Sequence, residues 1–120
     1  MGYGIDQEKR GFRQGDLVII PSVFTDRAGI KTRPGIILSN LKDKSLQDCI
    51  VVPISTKKRS YEQIFRLYPD DLEFGELIYE SDVRVDKILS VDRKLIRYKV
   101  GKVKRYVVDR IKKVLGELIK

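Results

Sequence analysis

The segment Cys49-Ile50-Val51-Val52-Pro53-Ile54 is an uninterrupted apolar run, and the hydroxyl pair Ser55-Thr56 follows it directly. Apolar runs of this length that do not alternate with polar residues are typical of β-strands covered on both faces. Two shorter runs of the same kind precede it, in Asp16-Leu17-Val18-Ile19-Ile20 and Ile36-Ile37-Leu38. Together the three segments predict the buried centre of a β-sheet.

Further strands are predicted after this centre. Ile64 to Tyr68 is a fourth strand, because Pro69-Asp70-Asp71 supplies turn residues at its end. Glu76 to Tyr79 and the alternating segment Val83 to Asp86 are predicted to continue the sheet. Asp92 is predicted to cap a single helical turn.

The end of the chain predicts one amphipathic helix of about four turns, because its apolar residues recur at steps of three and four. These residues are Val103, Val107, Ile111, Val114 and Leu118. The apolar stripe must lie on the sheet. The fold class is therefore mainly β (α+β), a small antiparallel barrel or curled sheet capped by a C-terminal amphipathic helix.

The chain has 120 residues, the usual size of one domain. We expect a single domain over residues 1–120, with a short N-terminal arm at residues 1–13. The polar segment Ser22 to Thr32 is long for a loop in a compact domain and is a candidate for function. No apolar run approaches the roughly 20 residues that span a bilayer, and no signal segment is evident, so we expect a cytoplasmic protein without membrane contact.

Two residue types limit the chemistry. The chain has no histidine, which excludes imidazole acid–base catalysis and histidine-ligated metals. Its one cysteine, Cys49, lies in the apolar run and is expected to be a small buried residue. An enzyme with this composition must use Arg, Lys, carboxylates, hydroxyls or Tyr.

The positive charge is concentrated near the end of the chain. The chain has 25 basic and 17 acidic residues, a net charge of +8. Arg93 to Lys113 holds ten basic residues and one acidic residue, a net charge of +9. This window indicates either a surface that attracts a polyanion such as nucleic acid or an acidic protein, or a solvated lysine-rich helix. The sequence leaves these alternatives open.

Three groups of polar residues occur where predicted strands begin or end. They are Arg33 before Pro34, the pair Ser55-Thr56, and Arg84 with Asp86. Guanidinium groups match phosphate oxygens with two parallel N–H donors, a hydroxyl adds another donor, and a carboxylate can accept a proton. Together these groups could cleave RNA without a metal, although each alone is more often a surface residue, a turn or a weak ion pair.

The acidic residues after the fourth strand are of the type that binds Mg²⁺. Their position in a turn favours a solvated loop instead, so no metal and no cofactor are expected. They are Asp70, Asp71, Glu73 and Glu76.

The sequence resembles the PemK/MazF toxins from about residue 13 to residue 119. The similarity is carried by Gly15-Asp16-Leu17-Val18, by Thr32-Arg33-Pro34-Gly35-Ile36-Ile37-Leu38-Ser39, by Val52-Pro53-Ile54-Ser55-Thr56 and by Val83-Arg84-Val85-Asp86-Lys87-Ile88. The resemblance implies an SH3-like barrel of the CcdB/MazF kind that forms a homodimer. It also implies a toxin with a cognate antitoxin, and a metal-independent endoribonuclease that cuts single-stranded RNA at short sequences.

The resemblance also implies roles for individual residues. Arg33 would be the catalytic arginine, Ser55 stands where the family usually has a catalytic threonine, and Thr56 takes the neighbouring hydroxyl position. Arg84 and Asp86 match an Arg-x-Asp pair that acts in cleavage in the Kid-like branch.

Three more residues are assigned to RNA binding on the same basis. Asp16 corresponds to an acidic residue of the RNA-binding surface. Lys31 lies in the loop where some members have a histidine, and Lys57 follows the hydroxyl pair.

The expected reaction is attack of the RNA 2′-oxygen on the adjacent phosphate, leaving a 2′,3′-cyclic phosphate and a 5′-hydroxyl. Arg33 would stabilise the pentacoordinate phosphorane, and Ser55 and Thr56 would hold non-bridging oxygens. Asp86 is a candidate base and Arg84 a second clamp. Two alternatives remain: a non-catalytic poison that binds a protein such as gyrase, as CcdB does, and an inactive RNA-binding module.

Overall fold

The structure, a computed structural model, describes residues 11–21, 32–41, 47–56, 64–77 and 80–120. Eight strands occur in these residues: β1 (Asp16–Pro21), β2 (Thr32–Ile37), β3 (Asp48–Ser55), β4 (Ile64–Leu67), β5 (Leu72–Gly75), β6 (Ser81–Arg84), β7 (Leu89–Asp92) and β8 (Tyr98–Val103). The chain ends in the helix α1 (Arg105–Leu118). Single 3₁₀ turns follow β4, β6 and β7, at Pro69–Asp71, Val85–Lys87 and Arg93–Leu95.

The strands form one sheet in the order β4-β6-β3-β2-β1-β8-β5, and β7 also pairs with β3. Each described pairing is antiparallel. β3 pairs with β7 over Asp48 to Val51 and with β6 at Ile54 and Ser55. Because β3 changes partner along its length, the sheet curls around it.

Apolar side chains cover both faces of the three central strands, as their uninterrupted apolar runs predict. On one face, Leu17, Ile36 and Val52 belong to the larger core cluster, which also contains the buried residues of α1. On the other face, Val18 and Val51 belong to a second cluster. Residues next to each other along a strand therefore reach different surroundings, which decides where the polar residues at the strand ends point.

The helix packs on the larger cluster through Val107, Val108 and Ile111, which are buried. Its opposite side is charged, with an ion pair of 3.2 Å between Arg105 Nε and Asp109 Oδ1. The four-turn amphipathic helix is therefore confirmed. Its predicted first apolar residue, Val103, belongs instead to β8, where its amide donates to the Gly15 carbonyl.

The predicted strands at the centre and at Ile64 are confirmed, as is the turn capped by Asp92, whose Oδ1 accepts a bond of 2.9 Å from the Lys94 amide. The strand predicted from Glu76 to Tyr79 is wrong for residues 76 and 77, which follow β5 without regular structure, and residues 78 and 79 lie outside the described residues. The strand predicted from Val83 to Asp86 ends at Arg84, and Val85–Lys87 is a 3₁₀ turn.

Candidate functional site

Arg33 and Ser55 lie on neighbouring strands, each two residues beyond the last paired residues. β2 and β3 pair as far as Gly35 opposite Pro53. Extending this register by two residues along both strands aligns Arg33 with Ser55. Directly opposed residues of antiparallel strands project from the same face. Arg33 is exposed and Ser55 is half-buried, so a guanidinium and a hydroxyl border one patch of surface.

Arg84 joins this face from the other side of β3. Ser55 pairs with Asp82 of β6, and Arg84 lies two residues further along β6, level with Pro53. Because side chains alternate along a strand, Arg84 shares the face of Asp82 and Ser55. The sheet therefore brings together Arg33, Ser55 and Arg84, which the sequence placed in three separate segments.

The predicted pair Arg84 and Asp86 forms a bidentate ion pair. Arg84 Nε donates to Asp86 Oδ1 at 2.8 Å, and Nη2 donates to Oδ2 at 2.7 Å. The hydrogen bonds from Arg84 lower the pKa of the Asp86 carboxyl. A carboxylate held in this way is a weak base at neutral pH. The geometry suits Asp86 to holding Arg84 in place.

A second ion pair lies on the same face and joins β6 to β4. Arg66 lies opposite Asp82, and its Nη1 donates to Asp82 Oδ1 at 2.7 Å. Asp82 is 3% exposed through its side chain and Arg66 is 24% exposed. The Asp82 hydrogen bond raises the pKa of Arg66. A carboxylate bound to a guanidinium thus lies opposite Ser55 in the register of β3 and β6, a pairing that sequence reasoning missed.

Thr56 belongs to a different surface from Ser55. It lines a groove of about 570 Å³ together with Pro34 and Ile54, which lie on the opposite face of the sheet from Ser55. Leu17 and Ile19 form more of the apolar floor, and the other lining residues are Gly75, Glu76, Leu77, Ser81 and Val100. The two neighbouring hydroxyls therefore do not converge on one point.

Asp16 is a buried structural residue in this fold. It is 1% exposed. Its Oδ2 accepts a hydrogen bond of 2.6 Å from the Arg13 amide and lies 3.2 Å from Lys99 Nζ. Lys99 also donates to the Gly11 carbonyl at 2.9 Å. The described end of the N-terminal arm is held to the sheet by this pair, and Asp16 is not positioned for direct contact with RNA.

Several predicted features lie outside the described residues, including residues 22–31 of the candidate loop. Lys31 and Lys57 lie outside the described residues, as do residues 1–10 of the arm. Cys49 is buried, and burial raises the pKa of its thiol to about 11, so the thiol is unreactive at neutral pH. The described residues contain no group of three or more acidic or cysteine side chains that could hold a metal ion. They also contain no helix long and apolar enough to cross a membrane.

The basic window spreads over several elements. It covers the 3₁₀ turn Arg93–Leu95, β8 and most of α1. Some of its cations are engaged: Lys99 pairs with Asp16, and Arg110 lies over the Phe65 ring at 4.3 Å from the centroid. Part of the basic window therefore serves contacts within the chain.

Comparison with known proteins identifies the family. Residues 13–119 match the family described as PemK-like, MazF-like toxin of type II toxin–antitoxin system. The chain therefore belongs to this family of toxins. No curated protein sequence matches the chain.

Several solved structures share the fold. One is an endoribonuclease in complex with its cognate antitoxin from a Mycobacterial species, at 16% identity, a TM-score of 0.71, and coverage of 90% of this chain and 94% of that chain. The toxin MazF-mt6 of Mycobacterium tuberculosis has 18% identity, a TM-score of 0.69, and coverage of 87% and 95%. MazF in a MazE–MazF crystal from Deinococcus radiodurans has 20% identity, a TM-score of 0.70, and coverage of 90% and 95%. The predicted fold, a curled antiparallel sheet with a C-terminal helix, is confirmed.

Proposed function

We propose that this toxin is an endoribonuclease that cleaves single-stranded RNA without a metal ion. The observation that supports this most is the row formed by Arg33, Ser55 and Arg84 on one face of three adjacent strands. Two guanidinium groups flanking one hydroxyl suit a single phosphodiester, because guanidinium N–H donors match phosphate oxygens, and Arg84 would use the N–H groups that do not bind Asp86. The membership of the toxin family and the endoribonuclease among its structural neighbours agree with this reading.

The proposed reaction is attack of the ribose 2′-oxygen on the adjacent phosphorus. The bond from phosphorus to the 5′-oxygen breaks, and the products are a 2′,3′-cyclic phosphate and a 5′-hydroxyl. Solvent water accepts the proton of the 2′-hydroxyl and supplies one to the departing 5′-oxygen, so the protons balance. Arg33 and Arg84 donate to the non-bridging oxygens, whose negative charge grows in the phosphorane, while Ser55 contacts the same nucleotide.

Asp86 has a supporting role in this proposal. The two carboxylate oxygens of Asp86 hold Arg84 in one orientation toward the phosphate. The side chain of Arg84 is 12% exposed. Asp86 is ionised at neutral pH, and the hydrogen bonds from Arg84 that lower its pKa also favour this ionised, paired form. Thr56 contributes from the groove, where a base or sugar next to the cleaved bond would lie.

The proposed partners are single-stranded RNA, a cognate antitoxin and a second copy of the chain, all in the cytoplasm. A net charge of +8 favours an antitoxin with an acidic or amphipathic tail, which would compete with RNA for the same surface. Among the structural neighbours, one is an endoribonuclease in complex with its cognate antitoxin and two are crystals of MazE with MazF.

Incubating the purified chain with a mixed-sequence single-stranded RNA in EDTA tests the proposal. We expect defined fragments whose ends are 2′,3′-cyclic phosphate and 5′-hydroxyl, identified by mass spectrometry. A parallel sample of Arg33→Ala controls for contaminating nuclease. RNA that stays intact in every sequence context while the chain shifts it on a gel would support the inactive RNA-binding module. Intact RNA without a shift would support the protein-binding poison.

A further inference from the structure

The covalent structure of a serine such as Ser55 does not by itself fix the orientation of its hydroxyl group. A serine side chain has no second branch on Cβ, so its hydroxyl rotates among three staggered positions. Its single O–H can donate only one hydrogen bond, while the oxygen can accept two. What the hydroxyl offers to a ligand therefore depends on the strongest acceptor beside it.

A carboxylate acceptor, that of Asp82, lies opposite Ser55 in the sheet. The two residues are directly opposed on β3 and β6, a position in which side chains of antiparallel strands touch. Asp82 is 3% exposed through its side chain, and Arg66 Nη1 holds its Oδ1 at 2.7 Å. Glu80 Oε1 also lies 3.8 Å from Arg66 Nη2. The carboxylate of Asp82 is thus fixed in place, and a hydroxyl donating to it forms a charge-assisted bond.

We propose that Asp82 is a positioning residue that makes Ser55 a reader of the RNA 2′-hydroxyl. The Ser55 O–H donates to Asp82, so the Ser55 oxygen presents its lone pairs toward the nucleic acid. Lone pairs repel an anionic phosphate oxygen and attract the O–H of a ribose. Ser55 then accepts a hydrogen bond from the 2′-hydroxyl, which DNA lacks. This inference rests on the proposed function, since it assumes that nucleic acid binds across the row.

The test compares affinity for single-stranded RNA and for DNA of the same sequence. Fluorescence anisotropy in EDTA, with the full chain carrying Arg33→Ala to prevent cleavage, gives the ratio of the two dissociation constants. In this background we expect a preference for RNA. Ser55→Ala should reduce the preference by about three- to tenfold, the loss of one neutral hydrogen bond. Ser55→Thr keeps the hydroxyl and should preserve the ratio.

Asp82→Asn should reduce the same ratio, but it should change nothing further in a chain that already carries Ser55→Ala. Asp71→Asn is the matched control, because Asp71 also accepts two hydrogen bonds, from the Tyr68 amide at 2.8 Å and the Tyr106 hydroxyl at 2.6 Å. This control should leave the ratio unchanged. A merely structural role for Asp82 would weaken RNA and DNA binding equally.

Three results would overturn the inference: equal affinity for RNA and DNA, a ratio unaffected by Ser55→Ala, or effects of Ser55→Ala and Asp82→Asn that add. If Asp82→Asn does not fold, an unchanged ratio in Ser55→Ala still overturns the inference. Cleavage of RNA by the wild-type chain together with any of these results would leave the proposed function intact. A wild-type chain that neither binds nor cleaves RNA would reject both.

Discussion

Arg33 is the residue on which the proposed chemistry depends most. It is exposed at the start of β2, and Pro34 fixes the backbone next to it. We expect Arg33→Ala to lower kcat by about 10²–10³-fold, the loss of a preorganised donor to the phosphorane. Arg33→Lys should recover only part of this, because an ammonium lacks the fork. Rates come from a fluorogenic RNA. An unchanged melting curve for both variants is the control, and near wild-type kcat in Arg33→Ala would contradict the assignment.

The Arg84–Asp86 pair predicts a pH dependence of stability. The pKa of Asp86 is lowered from its ordinary value of 3.8 in the folded chain. The pair therefore contributes fully to stability above about pH 4, and this contribution is lost as pH falls through the folded pKa. We expect Asp86→Asn to reduce the free energy of unfolding by about 0.5–1 kcal/mol at pH 7. Urea unfolding from pH 7 to pH 3 should show the difference shrinking, whereas a constant or growing difference would argue against the pair.

At the level of single residues, the sequence predicted the candidates better than their roles. Arg33 and Ser55 were predicted because an arginine before proline and a hydroxyl after an apolar run can be recognised from the sequence alone. The burial and the partners of a side chain cannot. Asp16 was predicted to face RNA but lies 1% exposed beside Lys99. Asp82 and Arg66 were missed because only the pairing of β4 with β6 brings them together.

At the level of elements, the contact of β5 with β8 depends on two glycines. Gly75 lies opposite Gly101, and it has a φ of +95°, which side-chain-bearing residues rarely adopt. A Cβ at Gly75 would come within 2.3 Å of the Gly101 Cα. We expect Gly75→Ala to reduce the free energy of unfolding by roughly 2 kcal/mol or more, because backbone would have to move.

Gly116 provides the matched control for this substitution. It lies in α1, and a Cβ there would meet no atom within 4 Å. Alanine has the higher helix propensity, so Gly116→Ala should raise the free energy of unfolding by up to about 1 kcal/mol. Equal effects of the two substitutions in urea unfolding would mean that β5 does not approach β8 as described.

The elements that the sequence predicted correctly are those with strong local signals. The apolar runs of β1 to β3 and the helical period of α1 needed no knowledge of the fold. β8 was missed because its residues alternate with charges that resemble the start of the helix, and β7 was missed because it has only four residues. β5 was missed because Leu72–Gly75 is short and mostly exposed, so pairing with β8 alone defines it.

At the level of the whole molecule, the net charge of +8 predicts how binding responds to salt. Each phosphate contact on a single strand contributes a slope of about −0.7 in a plot of log affinity against log salt. Because Arg33 and Arg84 hold one phosphate in the proposed complex, that phosphate contributes a slope of about −0.7, and each further phosphate contact adds about the same amount. We expect KM to rise and kcat to stay constant as NaCl increases from about 50 to 200 mM. Insensitivity of KM to salt would contradict phosphate recognition.

The two faces of the curled sheet carry different hydroxyl groups, and comparing these groups tests on which face RNA is cleaved. Ser55 and Thr56 are adjacent in the chain, yet Ser55 shares the face of Arg84 while Thr56 lines the groove on the other side. We expect Ser55→Ala to lower kcat for RNA cleavage by at least about tenfold, because the reacting group loses its contact. Thr56→Ala should act mainly on KM. Equal losses of kcat in the two variants, or a larger loss in Thr56→Ala, would contradict the claim that the reaction occurs on the Ser55 face.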